Sequence, residues 1–253
     1  MDEKVAENPK IQVGEYEKSA ATLECFEGYK GLRIHALTGL HDFTAEHTYK
    51  HLTAGSRILD LAAGTGAMSL RLSDAGYNVT ATDYVSKNFR LHDSIPFFKA
   101  DLNDHFSKGR EGHFDGIIAS EIIEHLENPR HFARECFKLL KDGGKIILST
   151  PNVDNLASII NFLRSGTFQW FGEREYKHDG HITPLTQWQL KKCFDEAGFS
   201  VLWQGSFGDP DGVLKGSPRL LMLSRFIGLF ASIRQDLSNQ IFIAVFEKPM
   251  KPI

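Results

Sequence analysis

Gly64 and Gly66 are the residues whose spacing first suggests chemistry, because they interrupt the run from Arg57 to Leu70, in which Ile58-Leu59-Asp60-Leu61 precedes Ala62-Ala63-Gly64-Thr65-Gly66. That order reads as strand, tight turn and helix start, which presents backbone N–H groups to a nucleotide-like ligand at the carboxyl end of a first strand. Neither glycine carries a Cβ, so the chain can turn sharply and a ligand can approach the backbone. Asp83 closes the next apolar run, Asn78-Val79-Thr80-Ala81-Thr82, where it would deliver a carboxylate to a ribose. A nicotinamide dinucleotide site also wants that acid, but its G-x-G-x-x-G/A fingerprint needs a third small residue for helix packing, and Ser69 stands there. Ala62 is acceptable beside the glycines where its φ is negative.

Taken with the motifs that follow, this segment resembles the class I S-adenosylmethionine-dependent methyltransferases, whose first motif runs strand, acid, glycines and whose second strand ends in Asp or Glu. Ala62 stands where that family most often has its first glycine. Phe97-Phe98-Lys99-Ala100-Asp101-Leu102 is similar to the third strand and the acidic position that receives the adenine amino group. Phe114-Asp115-Gly116-Ile117-Ile118-Ala119-Ser120 is similar to the fourth strand, and Glu121 to Pro129 resembles the block found in ubiquinone-biosynthesis O-methyltransferases. Leu139 to Asn152 reads as helix end, glycine turn and fifth strand, with Gly143 and Gly144 suited to a helix C-cap. The resemblance runs from Arg57 to Phe199. It implies S-adenosyl-L-methionine as cofactor, held by Asp60, Ala62, Gly64, Gly66, Asp83, Asp101, Leu102 and Glu121.

The sulfonium of that cofactor is already an activated methyl donor, so alignment of an acceptor does most of the catalysis. A hydroxyl acceptor gains from losing its proton near the transition state, and His125, just past the fourth strand, is the candidate base. The alternative is a histidine that caps or packs the next turn. Glu121, Glu124 and His125 also resemble a block in small-RNA 2′-O-methyltransferases, where with His181 they could hold a divalent cation acting as a Lewis acid. In the simpler reading, Glu121 meets cofactor, Glu124 starts a helix and His181 lines the acceptor pocket. That reading is adopted, and no metal ligand is assigned.

Positioning these residues requires alternating strands and helices, the βαβ rhythm of an open sheet. The expected fold is α/β and Rossmann-like, a seven-stranded mostly parallel sheet with helices on both faces and an N-terminal helical cap. Residues 1–55 are assigned to the cap, with helices near Glu15 to Glu27 and Ala45 to His51. Residues 56–205 form the cofactor-binding core, with an acceptor-loop insertion at 152–185, and 206–253 complete the same domain with an apolar helix and a last strand. Further helices are expected at Met68 to Asp74, Arg130 to Leu140, Asn155 to Leu163 and Gln187 to Ala197. Phe168, Trp170, Phe171 and Trp188 are candidates for an aromatic pocket wall. The apolar stretch within 219–234 is too short and too cationic to span a bilayer. It reads as a packed helix, a homodimer face or a peripheral membrane contact.

With 253 residues, 42% hydrophobic and 24% charged, the chain can bury a sizeable core. Its net charge of −3 offers no basic footprint, which excludes DNA as a partner and argues against RNA. Cys25, Cys136 and Cys193 are too scattered for a disulfide framework, and the polar, acidic start lacks a signal-peptide pattern, so a cytoplasmic location is expected. The resulting expectation is methyl transfer to a small-molecule acceptor, at oxygen. The alternatives are metal-assisted 2′-O-methylation of RNA ends and a non-catalytic methyltransferase-like binding module.

Overall fold

A computed structural model describes residues 28–230 and 238–251. In chain order the elements are strands β1 (Gly28–Tyr29) and β2 (Leu32–Arg33), helix α1 (Leu40–His51), β3 (Arg57–Leu61), α2 (Ala67–Asp74), β4 (Asn78–Asp83), β5 (Phe97–Lys99) and β6 (Phe114–Ser120). There follow α3 (Pro129–Leu139), β7 (Leu140–Pro151), α4 (Leu156–Ser165), α5 (Gln187–Ala197), β8 (Ser200–Phe207), α6 (Pro218–Gly228) and β9 (Ile241–Glu247). Seven strands form one sheet in the order β5-β4-β3-β6-β7-β9-β8, and β1 and β2 make a separate hairpin. Neighbouring strands from β5 through β7 pair in parallel, whereas β9 runs antiparallel to both β7 and β8. The expected α/β sheet is therefore present. The helix expected at Glu15 to Glu27 and the final residues of 219–234 lie outside the described residues.

Alternation along the central strands divides the core between the two faces of the sheet. Leu59, Leu61, Ile117, Ala119, Ile146 and Leu148 pack with Phe132 and Cys136 of α3 and Leu190 and Phe194 of α5. Ile58, Ile118 and Ile147 point the other way, to Met68 and Leu72 of α2. Asp60 shares the parity of Ile58, so its carboxylate enters the α2 side.

Local signals fix the helix ends. Asn128 caps α3 by accepting from His131 N–H at 2.9 Å, with Pro129 in the first turn. Thr186 and Gln189 form a capping box on α5, and Gly198 ends it at φ 104°. One expectation needs correction: Gly143 and Gly144 do not cap α3. The helix stops at Leu139 with extended Leu140 after it, and the glycines lie inside β7, where the pairing register with β6 jumps from Leu140 to Lys145. The inserted residues form an irregularity in the strand, which the freedom of glycine permits.

Candidate functional site

Strand order reverses between β3 and β6, and such a switch point leaves a crevice beyond the carboxyl ends of the strands. Ala62 follows β3, Asp83 ends β4, Glu121 follows β6, and Ser149 and Thr150 close β7, so four adjacent strands deliver side chains to one edge. Ala62 and Glu121 both adopt left-handed backbone, at φ 56° and 51°. Ala62 thus lacks the negative φ under which an alanine is tolerated there without strain. The strain costs on the order of 1–2 kcal/mol per non-glycine residue, and strain of this kind gathers at functional sites.

The glycine turn is fastened by Asp83. Its Oδ2 accepts Gly64 N–H and its Oδ1 accepts Val85 N–H, each at 2.8 Å. A Cβ built on Gly64 would meet no atom within 4 Å, so the backbone there faces open space. Gly66 is different, because a Cβ on it would stand 2.9 Å from both Leu91 and Phe89. Its bareness admits those side chains, and it caps α2 at φ 95°. Asp60 is also removed from the open edge: 3% exposed, it accepts the Ser69 hydroxyl at 2.5 Å, and burial pushes its carboxyl up to about 7 against the lowering effect of that bond. Asp101 Oδ1 accepts Asn103 N–H at 2.9 Å, shaping the turn in which Leu102 is buried. The arrangement fits a cofactor carrying a ribose: two carboxylate oxygens, each using one backbone donor and keeping acceptor capacity, stand beside an uncovered glycine.

Beside this turn lies a buried polar cluster. Glu121 Oε1 accepts the Ser149 hydroxyl at 2.9 Å, and Glu124 Oε2 accepts the Thr150 hydroxyl at 3.0 Å. Glu124 is fully buried, and its Oε1 has no hydrogen-bond partner. Desolvation raises both carboxyls, and the Glu121 charge raises Glu124 further. His125, with 28% of its side chain exposed, places Nε2 4.0 Å from Glu124 Oε1, while burial and then the neighbouring His181 lower it to about 4. It is therefore neutral near pH 7.

His181 arrives from 56 residues downstream. The Ile182 and Thr183 N–H groups both donate to the Glu124 carbonyl at 3.0 Å, and the Thr183 hydroxyl donates to Leu126 O. These bonds set the His125 and His181 rings edge to face, 4.8 Å between centroids. One ligand atom each from Glu124, His125 and His181 lie within 4.8 Å of one another, so this trio could hold a cation. Glu124 does not begin a long helix, since Ile123–His125 is one 3-10 turn, and α3 starts at Pro129.

The aromatic residues divide. The Trp170 carbonyl lies 2.7 Å from His181 Nδ1, and the Phe171 ring is 5.6 Å from the His181 ring. Phe168 instead stacks on Phe162 of α4, and Trp188 is 66% exposed on α5. Ser69, Ser149 and Thr150 escaped the sequence reading of the site. Only Ser149 and Thr150 left a signal there, as hydroxyls at the carboxyl end of a strand.

The family described as a methyltransferase domain matches residues 31–204. A ubiquinone biosynthesis O-methyltransferase of Xanthomonas oryzae pv. oryzae is 35% identical over 106 residues, which cover 39% of this chain and 44% of that protein. The match thus spans less than half the length of this relative. A SAM-dependent methyltransferase structure from Archaeoglobus fulgidus superposes with TM-score 0.60 at 18% identity, covering 83% of this chain and 93% of the other. One from Mesorhizobium loti gives TM-score 0.54 at 18% identity, covering 84% and 100%. At these identities the two structures speak for the fold.

Proposed function

The chain belongs to the methyltransferase-domain family, of the class that uses S-adenosyl-L-methionine, and from that premise we propose that it transfers a methyl group to an oxygen of a small-molecule acceptor. The observation that carries this reading is the pairing, on neighbouring strand ends, of an uncovered Gly64 turn fastened by Asp83 with a histidine kept neutral in the next crevice. Asp83 would receive the ribose hydroxyls and Gly64 would let the cofactor approach the backbone, with Asp101 and Leu102 flanking the adenine. Ala62 and Glu121 would border the amino-acid end. The bound cofactor supplies an electrophilic methyl group. The protein has then to orient the acceptor and take up its proton, and neutral His125 is the group available for the second task. Trp170 and Phe171 would form the apolar side of the acceptor pocket. The name of the Xanthomonas relative supports an oxygen acceptor.

A second reading is favoured by the partnerless Oε1 of Glu124. Glu124, His125 and His181 would hold a divalent cation that polarises the acceptor oxygen, and His125 would then be a ligand and not the base. The net charge of −3 argues against extending this to RNA ends.

Calorimetric titration with S-adenosylhomocysteine, with NADH as the comparison ligand, tests the cofactor assignment. One-to-one micromolar binding of the first alone is expected, and absence of binding would overturn it. Assay of hydroxyl-bearing apolar acceptors with chelator and with added Mg2+ or Mn2+ then separates the readings. Chelator-resistant turnover supports His125 as base, and turnover that needs the ion supports the cation.

A further inference from the structure

A second group of metal-ligating side chains sits away from the crevice, on α3 and the segment that follows Asp101. His131 and Glu135 are four residues apart on α3 and therefore share one helix face, and His105 comes from the turn between β5 and β6. One ligand atom from each of the three lies within 4.8 Å of the others. We propose that His105, His131 and Glu135 form a zinc site that ties the segment after Asp101 to α3.

The contacts around two of the three residues are those a metal site needs. A ligating histidine donates its other ring N–H to an oxygen, which fixes its tautomer and orientation. His131 Nε2 lies 2.8 Å from the Asp104 carbonyl, so that nitrogen carries the proton and the other keeps its lone pair. A ligating carboxylate is held in the same way. Glu135 Oε2 accepts the Ser107 hydroxyl at 2.6 Å and Ser107 N–H at 3.1 Å, which leaves Oε1 outside these two bonds. His105 Nδ1 stands 3.7 Å from that Oε1. Three ligands at tetrahedral zinc lie roughly 3.3 Å apart, given Zn–N and Zn–O bonds near 2.0–2.1 Å. The three must draw together from within 4.8 Å to close the set, and His105, with 79% of its side chain exposed, has room to turn toward the others.

Two imidazoles and one carboxylate suit zinc better than magnesium, which prefers oxygen donors and retains its water. Lys138 Nζ now occupies Oε1 of Glu135 at 2.6 Å, and half its side chain is exposed. A divalent ion would displace this one ammonium to solvent, so Lys138 lowers affinity without blocking the site. The fourth zinc position would be taken by water. Asn103, whose N–H binds Asp101 and whose Oδ1 accepts Glu127 N–H, places the metal and the proposed adenine-binding turn on the same short segment.

The test must separate this site from Glu124, His125 and His181. Zinc is titrated calorimetrically into the full chain carrying His125→Ala, and into the same chain with His105→Ala or His131→Ala added. Both histidines are outside the core, so circular dichroism and melting before metal addition should match the parent. The expected result is one zinc per chain for His125→Ala, at least a tenfold loss of affinity in each double variant, and a zinc-dependent rise in melting temperature confined to the first protein. Cobalt substitution should give a tetrahedral d–d spectrum that His105→Ala abolishes. Equal zinc affinity in all three proteins, or no zinc binding to any of them, would overturn the proposal.

Discussion

The Ser69 hydroxyl donates to the buried carboxylate of Asp60 across the gap between α2 and β3, at 2.5 Å. Asp60 is almost wholly buried, and this bond only partly offsets desolvation, so its carboxyl is held near 7. The bond couples the strand before the glycine turn to the helix after it.

A pH dependence of stability follows. An Asp whose folded pKa lies above its unfolded value, about 3.9, binds its proton more tightly when folded. Its contribution is fully present below pH 4 and is lost as pH rises to about 7. Asp60→Asn cannot ionise, so its stability relative to the parent should increase between pH 4 and pH 8 by on the order of 4 kcal/mol. Urea denaturation across that range checks this, and a constant difference would show that Asp60 stays ionised throughout.

Replacing Asp83 with Ala removes the acceptor of two backbone donors, Gly64 N–H and Val85 N–H. The loss should cost about 1–3 kcal/mol of stability and, if the carboxylate also receives the ribose, weaken S-adenosylhomocysteine at least tenfold. Unchanged affinity by calorimetry would remove Asp83 from the cofactor site.

His125→Ala should lower kcat roughly 10²–10⁴-fold if this residue takes the acceptor proton, with little change in cofactor affinity. Burial and His181 bring the folded pKa to about 4, below the ordinary histidine value. The neutral form is thereby favoured, a contribution complete above pH 6.5 and lost as pH falls through 4. The kcat/KM profile should accordingly show no acidic limb from this residue near pH 6.5. A limb centred there would mean that His125 titrates as if exposed.

Ala62→Gly places at a left-handed position the residue that adopts it without strain. Relief of about 1–2 kcal/mol, reduced by the extra freedom glycine has in the unfolded chain, should leave a net gain of up to about 1 kcal/mol. Thermal melting with and without S-adenosylhomocysteine checks it, and cofactor affinity should not fall.

The sequence by itself determined the α/β alternation, the helices near Arg130 to Leu140, Asn155 to Leu163 and Gln187 to Ala197, and the candidate chemistry of Gly64, Asp83 and Glu121 to His125. These are local facts: turn glycines, caps and buried apolar strands act over a few residues, so their signals lie together in the chain. Tertiary structure alone decided which candidates meet. It turned Asp60 inward to Ser69, gave Gly66 to Phe89 and Leu91, forced Ala62 to a positive φ, and brought His181 against His125 through backbone bonds from Ile182 and Thr183. Each of these outcomes depends on packing between distant segments. Spacing along the chain does not carry that information, because loop conformation and strand order fix the approach of residues many positions apart.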